Sequence, residues 1–172
     1  MEKTEIVNQE RTLVLIKPEG VRRAIVGKIL ERFEDAGLKI IGMKMVFASE
    51  ELAGKHYDED IAKRHGDRVR NNLLKHIREG PVIAFVLEGI DAIAVTRKLV
   101  GSTYPNEAPV GTIRGDFGHI SKLYANSREM PVRNLIHASG DAKDAKREIP
   151  LWFTSKELHS YKTVHDLIQL CE

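Results

Sequence analysis

The chain has 172 residues, 42% of them hydrophobic, enough for one domain with a sizeable core and too few for two full ones. Lys and Arg total 27 against 25 Asp and Glu, and the net charge of +2 makes no general case for nucleic-acid or membrane binding, so any anion site must be local. The lone cysteine, Cys171, excludes an internal disulfide and any multi-cysteine metal site and points to a reducing compartment.

Residues 1–11 are polar and carry Glu2, Glu5 and Glu10, without the apolar stretch of a secretory signal. No apolar run is long enough to span a bilayer, so a soluble, cytoplasmic protein is expected. Thr12 to Ile16 is a short apolar run broken by Lys17-Pro18-Glu19-Gly20, the pattern of a buried strand leaving the core at a lysine. From Ala24 to Ala36, Ile25, Ile29, Leu30 and Phe33 recur at helical spacing, and Gly37 stands where a C-cap stops the helix.

Leu38 to Phe47 alternates with a period near two and reads as a second strand with Lys39 and Lys44 exposed, after which Ser49 caps another helix. Between Ala53 and Arg70 the chain is charged and reads as short helices and loop outside the core. Asn71 to Glu79 regains helical spacing, and Gly80-Pro81 ends it before the strand Val82 to Leu87. Asp91 is expected to cap the next helix, which Gly101 closes ahead of a long loop from Ser102 to about Phe117.

The last strand is read over Val132 to Ile136, delivering His137 to a turn, with a helix following from about Asp144 to Pro150. Ser139 or Asp141 can cap that helix, placing backbone N–H groups and the positive dipole end near His137, where an anion is favoured. The order strand, helix, strand, helix, strand, helix, strand predicts an α+β fold of βαββαβ type, an antiparallel sheet with helices on one face and extra helices besides. The tail after Trp152 is expected to pack on the domain or on a neighbour.

The candidates for chemistry are His137, Lys17, Arg97, Thr103, Arg114 and Glu148, all at element ends or in loops. Lys and Arg in such places suit phosphate oxygens, since a guanidinium binds two oxygens and an ammonium is a compact charge. Neither a P-loop nor a dinucleotide fingerprint is present, so an ATP site must be of another kind. The other histidines, His56, His65, His76, His119, His159 and His165, lack metal-ligand spacing and read as surface or packing residues.

Four blocks read together carry a resemblance: Arg11 to Val21 (RTLVLIKPEGV), Gly111 to Phe117 (GTIRGDF), Asn134 to Ser139 (NLIHAS) and Glu148 to Phe153 (EIPLWF). Their order and joint occurrence resemble the nucleoside diphosphate kinase family from about Arg11 to about Leu158, within a single domain of 1–172 that ends in a tail of 159–172. The resemblance implies a ferredoxin-like βαββαβ core with a four-stranded antiparallel sheet. It implies ping-pong transfer of a γ-phosphate, mainly from ATP, to nucleoside diphosphates through a phosphohistidine at His137. Glu148, with Ser139 beside it, would orient that ring.

By the same resemblance Lys17, Tyr57, Arg97, Thr103, Arg114 and Asn134 fall on nucleotide-contacting positions, Mg²⁺ bridges the phosphates, and a homo-oligomer, hexamer or tetramer, is expected. Ser102 to Thr112 and the C-terminal tail are the expected contact regions. The family's base-stacking aromatic matches Val69, an apolar wall without a π face, with Leu73 as a second wall. The chain is longer than the family pattern near 58–68 and 118–133, and after His137 it has Ala138-Ser139-Gly140-Asp141 where the family prefers Gly-Ser-Asp. The second reading, a nucleic-acid-binding or scaffolding module on the same fold, is disfavoured by the near-zero charge.

Overall fold

The computed structural model describes residues 9–169; Cys171 and the polar residues 1–8 lie outside the described residues. Four strands, β1 (Gln9–Ile16), β2 (Lys39–Val46), β3 (Val82–Ile90) and β4 (Ile136–Ala138), form one sheet in the order β2-β3-β1-β4. Every neighbouring pair is antiparallel. This is the ferredoxin-like arrangement expected from the order of elements.

Helices cover both faces of the sheet, a correction to the expectation of one. On the first face Val14, Ile16, Ile83, Phe85 and Leu87 meet α2 (Val26–Glu34) through Ile29 and Phe33 and α6 (Ala92–Val100) through Val100. On the second, Leu13, Leu15, Val82, Ala84 and Val86 meet α3 (Glu50–His56) through Ala53, α5 (Asp67–Ile77) through Ile77 and α9 (Ala142–Trp152) through Trp152. Consecutive apolar residues in β1 and β3 follow from this, because a strand buried on both faces has no polar side to alternate with.

Other local expectations shift with particular contacts. Lys39 is buried, because its ammonium pairs with Glu88 at 3.1 Å and Asp166 at 3.4 Å and donates to the Tyr161 carbonyl at 3.0 Å. Asp166 belongs to α10 (Val164–Gln169), and the His159 amide donates to the carbonyl of Ile41, so the tail docks on β2. Ile41 sits at the bulge where the β2–β3 register shifts between Ile40 and Gly42. Asp91 occupies the N-cap of α6 with a left-handed φ of 49° and makes no side-chain cap; Glu10 Oε2 accepts from the Ile93 amide at 3.2 Å instead.

The expected long loop after Gly101 contains a 3₁₀ turn, Pro105–Glu107, and a helix, α7 (Ile113–Phe117), capped by Thr112. The remaining helices are α1 (Pro18–Arg22), α4 (Glu59–His65) and α8 (Lys122–Ser127), with a second 3₁₀ turn at Ser155–Glu157. The last strand is shorter than expected: Val132 to Leu135 are not in it, and Leu135 has a left-handed φ of 70°. His137 is therefore the middle residue of β4, paired with Leu15 of β1. Among the described residues no helix is long and apolar enough to cross a membrane.

Candidate active site

β4 runs beside β1, and that pairing places His137 over the end of the sheet where Lys17 leaves β1. Ser139 follows as a buried residue whose amide donates to the Leu13 carbonyl at 3.1 Å and whose hydroxyl accepts from the Leu13 amide at 3.3 Å. Asp141, not Ser139, caps α9, its carboxylate accepting from the Asp144 amide at 2.8 Å. The helix so started carries Glu148 back under the strand. The Ser139 hydroxyl donates to Glu148 Oε2 at 2.7 Å, and the same oxygen lies 3.0 Å from His137 Nε2.

Burial alone would raise the Glu148 carboxyl, but the facing His137 charge and hydrogen bond, with His56 and Ser139, hold it at about 2. It is thus an acceptor at neutral pH, so the neutral His137 ring carries its proton on Nε2 and keeps the Nδ1 lone pair. An imidazole oriented in this way is a competent nucleophile.

Beneath His137 lies His56, 1% exposed, its ring crossing that of His137 at 4.5 Å and 82°. Sequence reasoning assigned His56 to packing or surface; it is packing, and it packs on His137. Its only sequence signal is adjacency to Tyr57. Trp152 Nε1–H donates to His56 Nδ1 at 3.4 Å, so the His56 proton is on Nε2. Ligating atoms of His56, His137 and Glu148 all lie within 4.8 Å of one another. With Nδ1 accepting from Trp152 and Nε2 protonated, His56 has no lone pair to give, so this trio does not suit a metal ion. Burial, then the charge of His137, pushes His56 well below the usual imidazole range and keeps it neutral.

His137 opens onto a pocket of about 450 Å³ lined by Arg97, Ser102, Thr103, Glu107 and Arg114 among others. Arg114 is fastened by three carbonyls, of Asn134 at 3.2 Å, Gly101 at 3.0 Å and Ile136 at 2.8 Å. Burial and the neighbouring Arg97 charge lower its pKa to about 10, the mark of cations crowded where an anion belongs. Arg97 itself is exposed on α6.

A slot of about 310 Å³ adjoins this pocket through Thr103 and Tyr104 and reaches Lys17 and Asn134. Lys17 Nζ donates to Asn134 Oδ1 at 2.6 Å, and Asn134 Nδ2 donates to the Thr103 carbonyl at 2.9 Å. One wall of the slot is Val69 and Leu73 of α5 with Ile61 of α4; the other is Met130, Pro131 and Val132. The two walls are tied by Asn72 Nδ2 of α5, which donates to the Glu129 carbonyl at 3.3 Å. Tyr57 lies outside the lining of both cavities, 6% exposed, its ring 6.5 Å from that of His137, and burial pushes its hydroxyl pKa up. The structure therefore gathers Lys17, Arg97, Thr103, Arg114, Asn134, His137, Ser139 and Glu148, with Val69 on the slot wall. Glu19, His56 and Trp152 are the supporting residues that sequence reasoning missed.

An imidazole with a free Nδ1 facing clustered guanidiniums, with a slot adjoining, is the arrangement that suits phosphoryl transfer from a nucleotide. Residues 10–158 match the family model described as nucleoside diphosphate kinase. The nucleoside diphosphate kinase of Borreliella burgdorferi is 47% identical over 154 residues, 89% of this chain and 92% of that protein. The one from Pyrococcus horikoshii is 45% identical over 158 residues, 91% of this chain and 93% of that one. Among solved structures, the Borrelia burgdorferi enzyme with bound vanadate and ADP, a transition-state mimic, superposes with a TM-score of 0.91 at 46% identity, covering 92% and 95% of the two chains. A halophilic nucleoside diphosphate kinase from Halobacterium salinarum in complex with CDP gives 0.80 at 38% identity, covering 92% and 97%. The chain belongs to the nucleoside diphosphate kinase family, and it is a phosphotransferase acting on nucleotides.

Lys17 gives this site a pH signature. Burial lowers its pKa to about 8 against the partial support of Glu19. Between about pH 8 and 10.5 the unfolded chain holds a proton that the folded one has lost, so stability of the unliganded protein rises with pH across that window. Affinity for nucleotide phosphates should move the other way, falling roughly 10- to 100-fold as a charged hydrogen bond is lost. Calorimetric titration with a nucleoside diphosphate and denaturant unfolding across the window check both trends, and Lys17→Met should abolish both.

Proposed function

We propose that His137 is the phosphorylated residue in a ping-pong exchange between nucleoside triphosphates, mainly ATP, and nucleoside diphosphates. The observation that carries the proposal is the His137–Glu148–Ser139 chain of hydrogen bonds, ending on a ring whose Nδ1 is left unprotonated toward the cationic pocket. In the first half-reaction Nδ1 attacks the γ-phosphorus, the bond to the β,γ-bridging oxygen breaks, and the diphosphate departs. In the second, a terminal oxygen of an incoming diphosphate attacks the phosphoryl group and the N–P bond breaks. The Nε2 proton stays in place throughout, and Glu148 stabilises the positive charge that the ring acquires.

Arg97, Arg114, Thr103 and Lys17 hold phosphate and sugar oxygens in this scheme, with Asn134 fixing Lys17 and Tyr57 packing behind the nucleophile. Val69 and Leu73 offer the base an apolar wall, which fits broad nucleoside specificity because no edge contact is required. The cationic lining includes one carboxylate, Glu107, a donor set suited to a divalent ion that arrives on the phosphates. Glu107 would be the side chain placed to hold Mg²⁺ arriving with the nucleotide, and the ion would neutralise phosphate oxygen charge. A cytoplasmic location and one catalytic unit spanning the chain belong to the same proposal. For the nucleic-acid or scaffolding alternative, no observation speaks.

A homo-oligomer, tetramer or hexamer, completes it. Edge strand β2 exposes Met43 and Met45, and Phe47 just beyond it is 73% accessible, an apolar surface that a second copy would cover. Sedimentation should find a multiple of the monomer that Phe47→Glu with Met45→Glu breaks down; a monomeric unmodified protein contradicts this.

Incubation with γ-labelled ATP tests the central step. The protein should acquire acid-labile, base-stable label that is released as triphosphate on adding a nucleoside diphosphate, and His137→Ala should take up none. Label retained by that variant would defeat the assignment.

A further inference from the structure

The segment that leads into His137 is bent in a way its sequence does not announce. Leu135 has φ 70°, and the Ile136 amide donates to the Asn134 carbonyl at 2.8 Å across it. This is a three-residue turn of the strained, positive-φ kind, built on a leucine where glycine would be easier. On one side of it Asn134 fixes Lys17, and one residue beyond it on the other stands His137.

Three contacts outside the turn hold it. The Lys17 amide donates to the Leu135 carbonyl at 2.8 Å, and Arg114 Nε donates to that of Asn134 at 3.2 Å. The Leu135 amide donates to Glu19 Oε1 at 2.9 Å. The other oxygen of Glu19 lies 2.7 Å from Nε2 of His76, which is 1% exposed on α5. An amide in the core must be paired, and a carboxylate is the strongest acceptor it can find, but a buried carboxylate is itself held only by a donor such as His76. Burial would raise the Glu19 carboxyl, yet the hydrogen bond and charge of His76, then the charge of Lys17, hold it at about 2.

We propose that Glu19, held by His76, is a positioning residue for phosphoryl transfer: it fixes the turn at Leu135 and through it the placement of Asn134 and His137 against the phosphates. The proposal rests on transfer through His137. Neither Glu19 nor His76 lines the phosphate pocket; besides the charge that Glu19 lends to Lys17, their effect reaches the reaction through the backbone of residues 134–137. Glu19 lies in the same short segment as Lys17, so one stretch at the end of β1 supplies both a phosphate-binding cation and the support of its partner strand.

Single-turnover phosphorylation of the full chain by ATP, with unfolding curves and the amide resonance of Leu135 recorded on each variant, is the test. Glu19→Gln keeps an oxygen for the Leu135 amide, and His76 can switch tautomer to accept from the new side-chain amide. This variant should phosphorylate within about threefold of the unmodified rate, whereas Glu19→Ala, folded, should be slowed tens of fold to about 100-fold, the scale of a 1 Å misplacement. The Leu135 amide proton should move upfield in Glu19→Ala and stay downfield in Glu19→Gln. A folded Glu19→Ala that phosphorylates at the unmodified rate, or a Glu19→Gln equally slow, overturns the proposal.

Should Glu19→Ala fail to fold, His76→Leu against His76→Gln decides: the leucine variant should be slowed tens of fold and the glutamine variant, which can still donate, should not. Equal rates overturn the proposal. Absence of any label on the unmodified protein defeats the reading of His137 instead, so the two failures are distinct.

Discussion

One carboxylate sets the chemistry of this molecule. Glu148 is buried, ionised, and shared between the Ser139 hydroxyl and His137 Nε2, both reaching the same oxygen. A buried anion is tolerable only if its hydrogen bonds are complete, so the surroundings must hold those donors in place. They do so through main-chain structure: Ser139 is bonded twice to Leu13 of β1, and Asp141 starts α9 at the register that brings Glu148 beneath the strand. Fixing the proton on Nε2 frees Nδ1, so the tautomer of His137 is a consequence of sheet pairing and helix capping.

The sheet's double-sided burial serves the same end. Side chains of β1 and β3 are taken up by core on both faces, which leaves charged groups only the strand ends and the loops that follow. Lys17 stands directly after β1, Arg97 on α6, and Arg114 on α7, held by the carbonyls of Gly101 and of both ends of the Asn134–Ile136 turn. Crowded cations and partial burial are costly in the free protein, and the lowered pKa values of Lys17 and Arg114 register that cost. Transfer between phosphates demands alignment and neutralisation more than covalent versatility, and this fold supplies both from rigid elements.

Much of this was legible in the residues. The apolar run Leu13 to Ile16 ending at Lys17, the helix periodicity through Ile29 and Phe33 and the strand at Val82 announced the fold, although the helix closes at Asp35 rather than at Gly37, and the block around His137 singled out the residue that the site is built around. Features carried by distant partners did not. Glu10 caps α6 from 83 residues away, where Asp91 was the local candidate. Lys39 is buried because Asp166, 127 positions later, meets it; on local alternation it belonged outside. The positive-φ position of the turn is a leucine, neither glycine nor asparagine, and its support, Glu19, is separated from it by 116 residues. His56 lies in a charged stretch with nothing to mark it as buried, and only packing on Trp152 and His137 shows what it does. Local chemistry spoke through motifs, whereas tertiary pairing overrode local pattern wherever a charge found a partner far along the chain.

The central claim is that Glu148 holds the His137 proton on Nε2 and so directs phosphoryl transfer to Nδ1. Phosphorus–nitrogen couplings in the ¹⁵N-histidine-labelled, phosphorylated protein test it most directly. The phosphoryl group is expected on Nδ1 of His137 with the Nε2 proton retained; phosphorus coupled to Nε2, or to any other histidine, would contradict the account.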